Sequence, residues 1–431
     1  MATDVDVQYF SHLNGLTLGN NWGDLIRLLD KALVTGIDFT QITSASINEQ
    51  GDVIINLYAA HNAMLFQVVE LLGFAPASLN QKYRIKGVPN TTQLILKPKT
   101  DIIERTITTM GAGKLASLGY EIVFRDTNDV KRVYRAKNPT AQHPFIRVDE
   151  STSSATGIYP ATCARSAMVG LIENMTHIDD YESTEKQQLP FLPSNPSKNW
   201  SITATGAGQW DVVRGFSKWY YATQSASQPV ADNTAFSEYF PPAVLDRYFT
   251  LFGDQDAFYI NRNLGQNTKH KILSGCGLYD SSLPSDTTPN WFLMSTFYEK
   301  TAGANDSWGM MQKALPLCRS EQSGAFMLVK YTSTKPTPNV NGYGLMPDYM
   351  TGNTNLYSSN NSAALEIPIY DADKYLRGAL KHVNYSGKWH NNISGETTPL
   401  IFENSMYLWE TVAVGLGALP GGVMAYLGEL E

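Results

Sequence analysis

The sequence predicts an α+β fold that is mainly β, built from short-strand β-sandwich or barrel modules with a few helices. Short apolar or alternating runs, separated by glycine, proline and asparagine, recur along most of the chain, as is typical of strands joined by tight turns. Only one early segment has clear helical spacing. With 431 residues, of which 43% are hydrophobic, the chain is long enough for two or three domains with their own cores.

The composition excludes one class of partner and favours another. Charged residues make up only 17% of the chain, against about 25% in an average soluble domain. Neutral polar residues and 23 tyrosines take their place, and surfaces of this kind suit large, fixed interfaces between proteins. The net charge of -7 argues against a nucleic-acid partner, because phosphates require a basic face.

The segment NNWGDLIRLLDKALVTG predicts the one convincing helix. Its apolar residues fall on one face at helical spacing, and they are Trp22, Leu25, Ile26, Leu29, Ala32 and Leu33. Asn20 or Asn21 is expected to cap the start of this helix, and Gly36 to end it. Residues 1–37, together with 99–181, are expected to form an N-terminal α+β domain.

Four strand-like runs predict a small β-barrel or sandwich over residues 38–98, inserted into that domain. The runs are INEQGDVIINLYAA, LFQVVELLGF, NQKYRIKGV and TQLILKPK. A helix over NAMLFQVVELLGF is the competing interpretation, and the strand pattern that follows it argues for strands. Residues 100–118 are expected to be a helical or irregular link in which Gly111 and Gly113 break a helix, since the spacing of a Walker A phosphate loop is absent.

Two acidic stretches predict turns rather than metal sites. In GYEIVFRDTNDVKRVYRA, residues 119–136, a calcium loop that began at Asp126 would place Val130 where an oxygen ligand is required. It would also lack the necessary glycine and glutamate. The stretch therefore predicts a hairpin. Asp254 and Asp256 are expected in a second hairpin turn, because aspartate side chains bind nearby backbone groups in turns.

The remaining chain is divided by changes in composition. It comprises a linker or loop over 182–200, a β-rich domain over 201–332, a long loop or arm over 333–362 and a C-terminal β-rich segment over 363–431. The apolar stretch at 411–428 is about long enough to span a bilayer. Its glycines and its proline favour a buried hairpin instead.

The predicted arm carries apolar anchors that a solvated tether would not need. About thirty residues rich in Asn, Gly, Pro and Thr cannot bury enough surface to order themselves alone. Tyrosine and methionine are, however, enriched at the centres of interfaces. The arm is therefore expected to be mobile in the isolated chain and ordered against a neighbouring subunit through Tyr343, Leu345, Met346, Tyr349, Met350 and Tyr357.

The search for chemistry identifies no reaction centre. The sequence has no HExxH, GxSxG or CxxC motif, so neither enzyme activity nor a cofactor or metal is expected. The three cysteines are far apart and the first residues do not resemble a signal peptide, so buried thiols in a reducing cytoplasm are expected. His382 and His390, near Tyr385 and Trp389, could form a sugar-contacting patch, although an aromatic core or interface is the favoured interpretation.

Several motifs, in order, resemble those of tailed-bacteriophage virion proteins. GFAPASLNQKYRIKGVPNTTQLIL is similar to a β-module common in such proteins, and the matching residues are Gly73, Asn80, Tyr83, Ile85, Val88, Pro89 and Thr92. Gln81 replaces the usual glycine of its turn. From Leu25 to about Ile260, five motifs follow one another in the same order as in a phage structural family. They are LIRLLDKALVTG, GYEIVFRDTNDVKRVYRA, PFIRVDES, ARSAMVGLIENM and RYFTLFGDQDAFYI.

This resemblance implies a structural component of a tailed-phage particle, most directly of the tail or baseplate. The protein would be made in the bacterial cytoplasm and would reside in the virion. Its implied partners are other tail or baseplate proteins and copies of itself, without nucleic acid or membrane. A carbohydrate-binding host-adsorption protein of the tail is the alternative, whereas a polysaccharide depolymerase would need a pair of catalytic carboxylates that the sequence does not identify.

Overall fold

The fold is mainly β with one short α-helix, which confirms the predicted fold class. It is seen in a computed structural model that describes residues 4–19, 21–151, 167–200, 203–204, 212–213, 219, 247–263, 271–283, 288–295, 316–317, 325–330, 336–346, 364–387, 397–414 and 419–430. All strand pairs in these ranges are antiparallel, and they form sheets of thirteen, seven, five and two strands.

The first half of the chain combines short strands with a few helical turns. The strands are β1 (Gln8–Ser11), β2 (Ile37–Asp38), β3 (Ile42–Ile47), β4 (Val53–Leu57), β5 (Val68–Leu72), β6 (Lys82–Asn90), β7 (Gln93–Pro98), β8 (Ala112–Leu115), β9 (Tyr120–Arg125), β10 (Lys131–Ala136), β11 (Phe145–Asp149), β12 (Met168–Ile172) and β13 (Gln188–Leu189). The helix α1 (Asp24–Leu29) continues as a π-helical turn over Asp30–Thr35, and short 3-10 turns lie at His12–Asn14, Ala77–Leu79, Asp180–Glu182 and Pro196–Trp200.

Among the residues that the structure describes, the second half contains strands, turns and irregular segments but no helix. The strands are β14 (Thr203–Ala204), β15 (Val212–Val213), β16 (Phe249–Gly253), β17 (Ala257–Asn263), β18 (Lys271–Leu278), β19 (Asp280–Ser281), β20 (Trp291–Met294), β21 (Phe326–Leu328), β22 (Val340–Gly344), β23 (Leu365–Asp371), β24 (Leu376–Gly387), β25 (Thr398–Phe402), β26 (Ser405–Val414) and β27 (Leu419–Glu429). Strands β26 and β27 pair as the hairpin predicted for the C-terminal apolar stretch.

The early helix forms where it was predicted, but its start is capped differently. Gly23, with a φ of +80°, is the N-cap residue and makes no side-chain cap bond. The buried carboxyl group of Glu150 instead accepts hydrogen bonds from the backbone N–H groups of Gly23 and Leu25. The expected Asn21 cap is therefore wrong, because a side chain distant in sequence satisfies the first free amides; Asn20 lies outside the described residues. Gly36 ends the helical segment as predicted.

The seven-stranded sheet forms a small barrel that stays open on one side of β3. Its order is β2-β8-β5-β6-β7-β4-β3, and only residues 39–41 separate β2 from β3, so a short connection joins the two ends of the sheet. The four runs predicted as strands contain β4, β5, β6 and β7, and no helix forms over the competing segment. The sheet extends past 38–98, because it includes Ile37 and the strand β8.

The link at 100–118 contains a strand rather than a helix, which corrects the expectation for its glycines. A Cβ on Gly111 would lie 2.1 Å from the carbonyl oxygen of Leu72, and one on Gly113 would lie 3.0 Å from the Leu71 side chain. These positions are glycine because β8 packs closely against its neighbours. The helix-breaking interpretation failed because local composition does not reveal a close approach by a distant strand.

The five-stranded sheet has the order β13-β12-β11-β10-β9, and its hairpin β9–β10 confirms the turn predicted at 126–129. Asp126 accepts the backbone N–H groups of Val130 and Lys131. The segment predicted as a linker at 182–200 is docked on this sheet, since β13 pairs with β12. Trp200, 4% exposed, stacks on the Arg147 guanidinium.

The thirteen-stranded sheet also folds back on itself. The order β18-β20-β21-β22-β23-β24 is closed by β19, which follows β18 in the chain and pairs with β24. The interior of this ring is one hydrophobic cluster that includes Phe292, Leu328 and Ile367. A second cluster runs without interruption from α1 through the barrel to the strands β16 and β17. The barrel therefore shares its core with the rest of the chain.

The Arg84 side chain connects the barrel by hydrogen bonds to residues near both ends of the described chain. Its fully buried guanidinium donates to the backbone carbonyls of Asp4, Val7, Phe66 and Leu427 at 2.7–2.9 Å. A buried cation is costly unless its donors are satisfied, and here four carbonyls satisfy them. This contact fixes the position of the barrel relative to the first and last strands.

Candidate interaction site

Three neighbouring strands bring a row of apolar side chains to the surface of the C-terminal ring. Tyr343 on β22 lies opposite Tyr370 on β23, and Tyr370 lies opposite Leu376 on β24. Residues directly opposite in antiparallel strands share a face. The two tyrosine rings stack, with centroids 5.2 Å apart. Leu376 is 59% exposed, and Leu345, two residues beyond Tyr343, is 38% exposed. We call Tyr343, Leu345, Tyr370 and Leu376 the apolar row.

The structure places the predicted interface residues in different environments. Tyr343 and Leu345 lie in the apolar row, at partly exposed positions. Met346 is 2% exposed and belongs to the core of the ring, so its predicted role as an interface anchor is wrong. Tyr349, Met350 and Tyr357 lie outside the described residues.

The predicted arm over 333–362 is in part a strand, which corrects the expectation of a loop. β22 pairs with β21 on one side and with β23 on the other. A Cβ on Gly342 would lie 2.9 Å from the Leu328 side chain, and one on Gly344 would lie 3.0 Å from that of Ile367. The glycines that suggested a loop therefore permit close packing within the sheet.

Residues before β22 are also attached to their own chain. The Gln187 side chain accepts the N–H of Thr337 at 3.0 Å and donates to its carbonyl at 3.2 Å. Asn339 accepts the N–H of Phe191 at 3.0 Å. The docked segment at 182–200 thus holds residues 337–339, and the predicted mobility does not apply there. Tyr370 and Leu376 carry no local signal in the sequence, because only the strand register brings them beside Tyr343.

The second predicted hairpin carries a charged cluster at its turn. Strands β16 and β17 pair across Asp254 and Asp256, and Asp254 accepts the N–H groups of Asp256 and Ala257, as expected of a turn. The other carboxylate oxygen of Asp254 lies 3.0 Å from His382 Nε2. Asp256 binds His143 Nε2 at 2.9 Å and Lys381 Nζ at 2.7 Å.

A wide bulge in β24 brings the two basic residues of that strand to the turn. Glu366 lies opposite Asn384, whereas Pro368 lies opposite Ala379, so four residues of β24 face one residue of β23. Within this bulge His382 has a φ of +60°, a region that non-glycine residues adopt only when surrounding contacts hold them there. Bulges re-aim side chains, and this one aims Lys381 and His382 at the aspartates.

The hydrogen bonds of His143 define its tautomer. Its Nδ1 accepts the backbone N–H of Thr140 at 2.9 Å, so Nδ1 carries no proton. Nε2 therefore donates to Asp256, and the ring is neutral in this arrangement. Because His143 lies in the loop between β10 and β11, this bond joins the five-stranded sheet to the hairpin of the large sheet.

These contacts lower the pKa values of both turn carboxyls. For Asp256 the bond from His143 contributes most, followed by burial, which opposes it, and the bond from Lys381. For Asp254 burial is the largest influence and raises the pKa, but the bond and charge of His382 and the bond from Ala257 outweigh it. Each carboxylate already accepts hydrogen bonds from nearby donors, so the cluster presents no free acid or base. The cluster joins three segments of the chain, namely the β16–β17 turn, the β10–β11 loop and the strand β24.

Among the described residues, no group of three or more His, Cys, Asp or Glu side chains is arranged so that it could hold a metal ion. At the first hairpin, Asp129 contacts the buried Arg132 guanidinium, and Asp30 binds the same guanidinium at 3.2 Å. The predicted sugar patch also changes, because Tyr385 is fully buried and His382 faces Asp254. Trp389 and His390 lie outside the described residues.

Comparisons with known proteins give no assignment, since no protein-family model and no curated protein matches this chain. No helix in the described ranges is long and apolar enough to cross a membrane.

Proposed function

We propose that this chain is a structural subunit of a tailed-bacteriophage particle, most directly of its tail or baseplate, and that it acts through contacts between subunits. The observation that carries the proposal is the apolar row. Four apolar side chains lie side by side on a rigid sheet surface, where a partner can cover them without a change of backbone shape. Tyrosine and leucine anchors held on strands meet the requirements of a preorganised protein contact.

The chemistry of the rest of the chain supports a role in assembly. The charged groups at the two hairpin turns are matched by internal donors, and the order of the motifs resembles a phage structural family. Charged residues amount to 17% of the sequence, which lowers the desolvation cost of covering large surfaces. Symmetric repetition around a tail axis would multiply modest contacts into a stable ring.

A host-adsorption role is the second candidate, and one observation favours it. The stacked pair Tyr343 and Tyr370 offers partly exposed aromatic surface next to Leu376, and aromatic faces stack on sugar rings. The same side chains would then contact a glycan instead of a neighbouring subunit. The two roles differ in the partner that protects the apolar row.

The experiment compares the incorporation of variants into particles. A phage that lacks its own copy is supplied with wild-type protein, with Tyr370→Ser/Leu376→Ser, or with Tyr58→Ser as a matched control. Tyr58 is 78% exposed and lies outside the apolar row. We expect the double variant to fold but to be lost from purified particles, while the control is retained.

Binding of the free protein to host cells separates the two roles. Saturable binding to cells or glycans that the double variant loses, together with normal incorporation into particles, would establish adsorption instead of assembly. Absence of the wild-type chain from purified particles would contradict the proposal itself.

A further inference from the structure

Within the part of the chain that the structure describes, the strand β3 pairs on one side only, with β4, and the backbone groups on its other side can be identified. Asn48 donates its N–H to the carbonyl of Asp52 at the hairpin turn, and Leu57 on β4 donates to Thr92, on the side of β7. Because the bonding direction alternates along a strand, Ser44 and Ser46 bond to β4. Ala45 and Ile47 therefore direct their N–H and C=O groups to the opposite side, where the described chain provides no strand.

This edge lacks the features that usually prevent strands from pairing with other molecules. The strand reads ITSASI, without charge, proline or glycine, whereas charged residues and proline are common protections of an edge. Elsewhere in the described sheets, the edge strand β9 carries charged Glu121 and Arg125, and the edge strand β25 carries Pro399. β1 is covered by the Gln8 side chain, which donates to backbone carbonyls of the barrel.

We propose that β3 pairs with β3 of a second copy of this chain, antiparallel and about a two-fold axis beside Ala45. In that register Ala45 lies opposite Ala45 of the second copy, and Ser44 lies opposite Ser46. The inner face would continue the packing of Ala45 and Ile47 against the core, and the outer face would place serine against serine. Such pairing adds backbone hydrogen bonds without placing like charges opposite each other.

The sequence of the strand favours a second copy over a different partner. A two-fold contact brings the same surface of both copies together, so that surface must be complementary to itself. The centre of β3 has neutral side chains on both faces, so two copies of it can lie side by side without repulsion between charges. The inference rests on the proposed role in assembly, and it specifies one contact between two copies of the chain, through β3. It is separable by experiment, because pairing of the purified chain in solution does not require a phage particle.

Charge-pattern variants test the register. Both lose the hydrogen bond that the Asn56 side chain of β4 donates to the Ser44 hydroxyl at 2.8 Å, so this loss cancels when the two are compared. Ser44 and Ser46 are exposed, so charged residues at both are tolerated by the monomer. Ser44→Lys/Ser46→Lys would place lysine opposite lysine in the dimer, whereas Ser44→Lys/Ser46→Glu would place lysine opposite glutamate. Sedimentation of the full chain should show a wild-type dimer, a dissociation constant at least tenfold higher for Lys/Lys, and one within a few-fold of wild type for Lys/Glu.

A cysteine pair tests the two-fold axis directly. In a hydrogen-bonded antiparallel pair the Cα atoms lie about 5.5 Å apart, which suits a disulfide. Ala45→Cys should therefore cross-link between copies under mild oxidation, whereas Ser44→Cys, which faces Ser46, should cross-link much more slowly. The inference would be overturned by a monomeric wild type, by equal dissociation constants for the two charge variants, or by equal cross-linking of the two cysteine variants. A dimer that passes these tests but is absent from particles would refute the phage role alone.

Discussion

The buried carboxyl of Glu150 gives a stability change with pH that can be calculated from the structure. Burial, the largest influence, raises its pKa from 4.5 to about 8, although the N–H groups of Gly23 and Leu25 oppose the shift. The folded protein therefore retains this proton over a range in which the unfolded chain has lost it. Stability is highest below the unfolded pKa and falls as the pH rises toward the folded one. Between pH 6 and pH 9 the loss amounts to about 2–3 kcal/mol.

Glu150→Gln removes this titration while keeping the shape of the side chain. Its amide oxygen can accept one helix N–H and its NH2 group faces the other, so we expect a cost of about 1–3 kcal/mol at pH 6. Urea unfolding of both proteins at pH 6, 7, 8 and 9 isolates the Glu150 contribution as the difference between the two curves. The difference should shrink as the pH rises. A difference that is independent of pH would refute a raised pKa for Glu150.

Three further predictions concern the turns and the barrel. Asp256→Asn should lower the free energy of unfolding at pH 7 by about 1 kcal/mol. Because the pKa of Asp256 is lowered in the folded protein, this difference from wild type should fade as the pH drops below about 4. Acid unfolding of both proteins measures it. Gly111→Ala should destabilise by more than about 2 kcal/mol in thermal unfolding, because its Cβ would meet a backbone oxygen; an unchanged melting temperature would contradict the close approach. Calcium or manganese titration should give no saturable heat at Asp126 or Asp254, and a signal abolished by Asp→Ala at either residue would show the turn assignments to be incomplete.

Much of the fold could be predicted where the determining signal is local. The helical spacing before Gly36, the four runs of the barrel and the two aspartate turns depend on neighbours in sequence, and the structure has all of them. The glycines at 111 and 342 were misread for the opposite reason. Each lies where a distant strand approaches, and composition alone suggests a helix break or a loop.

The candidate site could be predicted only in part. Tyr343 and Leu345 stood out as apolar residues in a polar segment, but their neighbours Tyr370 and Leu376 come from other strands. The partners of Asp256 are likewise more than a hundred residues away in the chain. Strand register and the bulge in β24 decide these contacts, and neither leaves a pattern in one sequence.

A reconstruction of the intact phage particle that encodes this chain tests the central claim most directly. The account predicts density for several copies of the chain, related by symmetry about the tail axis, with Tyr370 and Leu376 buried against a neighbouring subunit. Particles that contain no density for this fold, or that contain it with the apolar row exposed to solvent in every copy, would contradict the account.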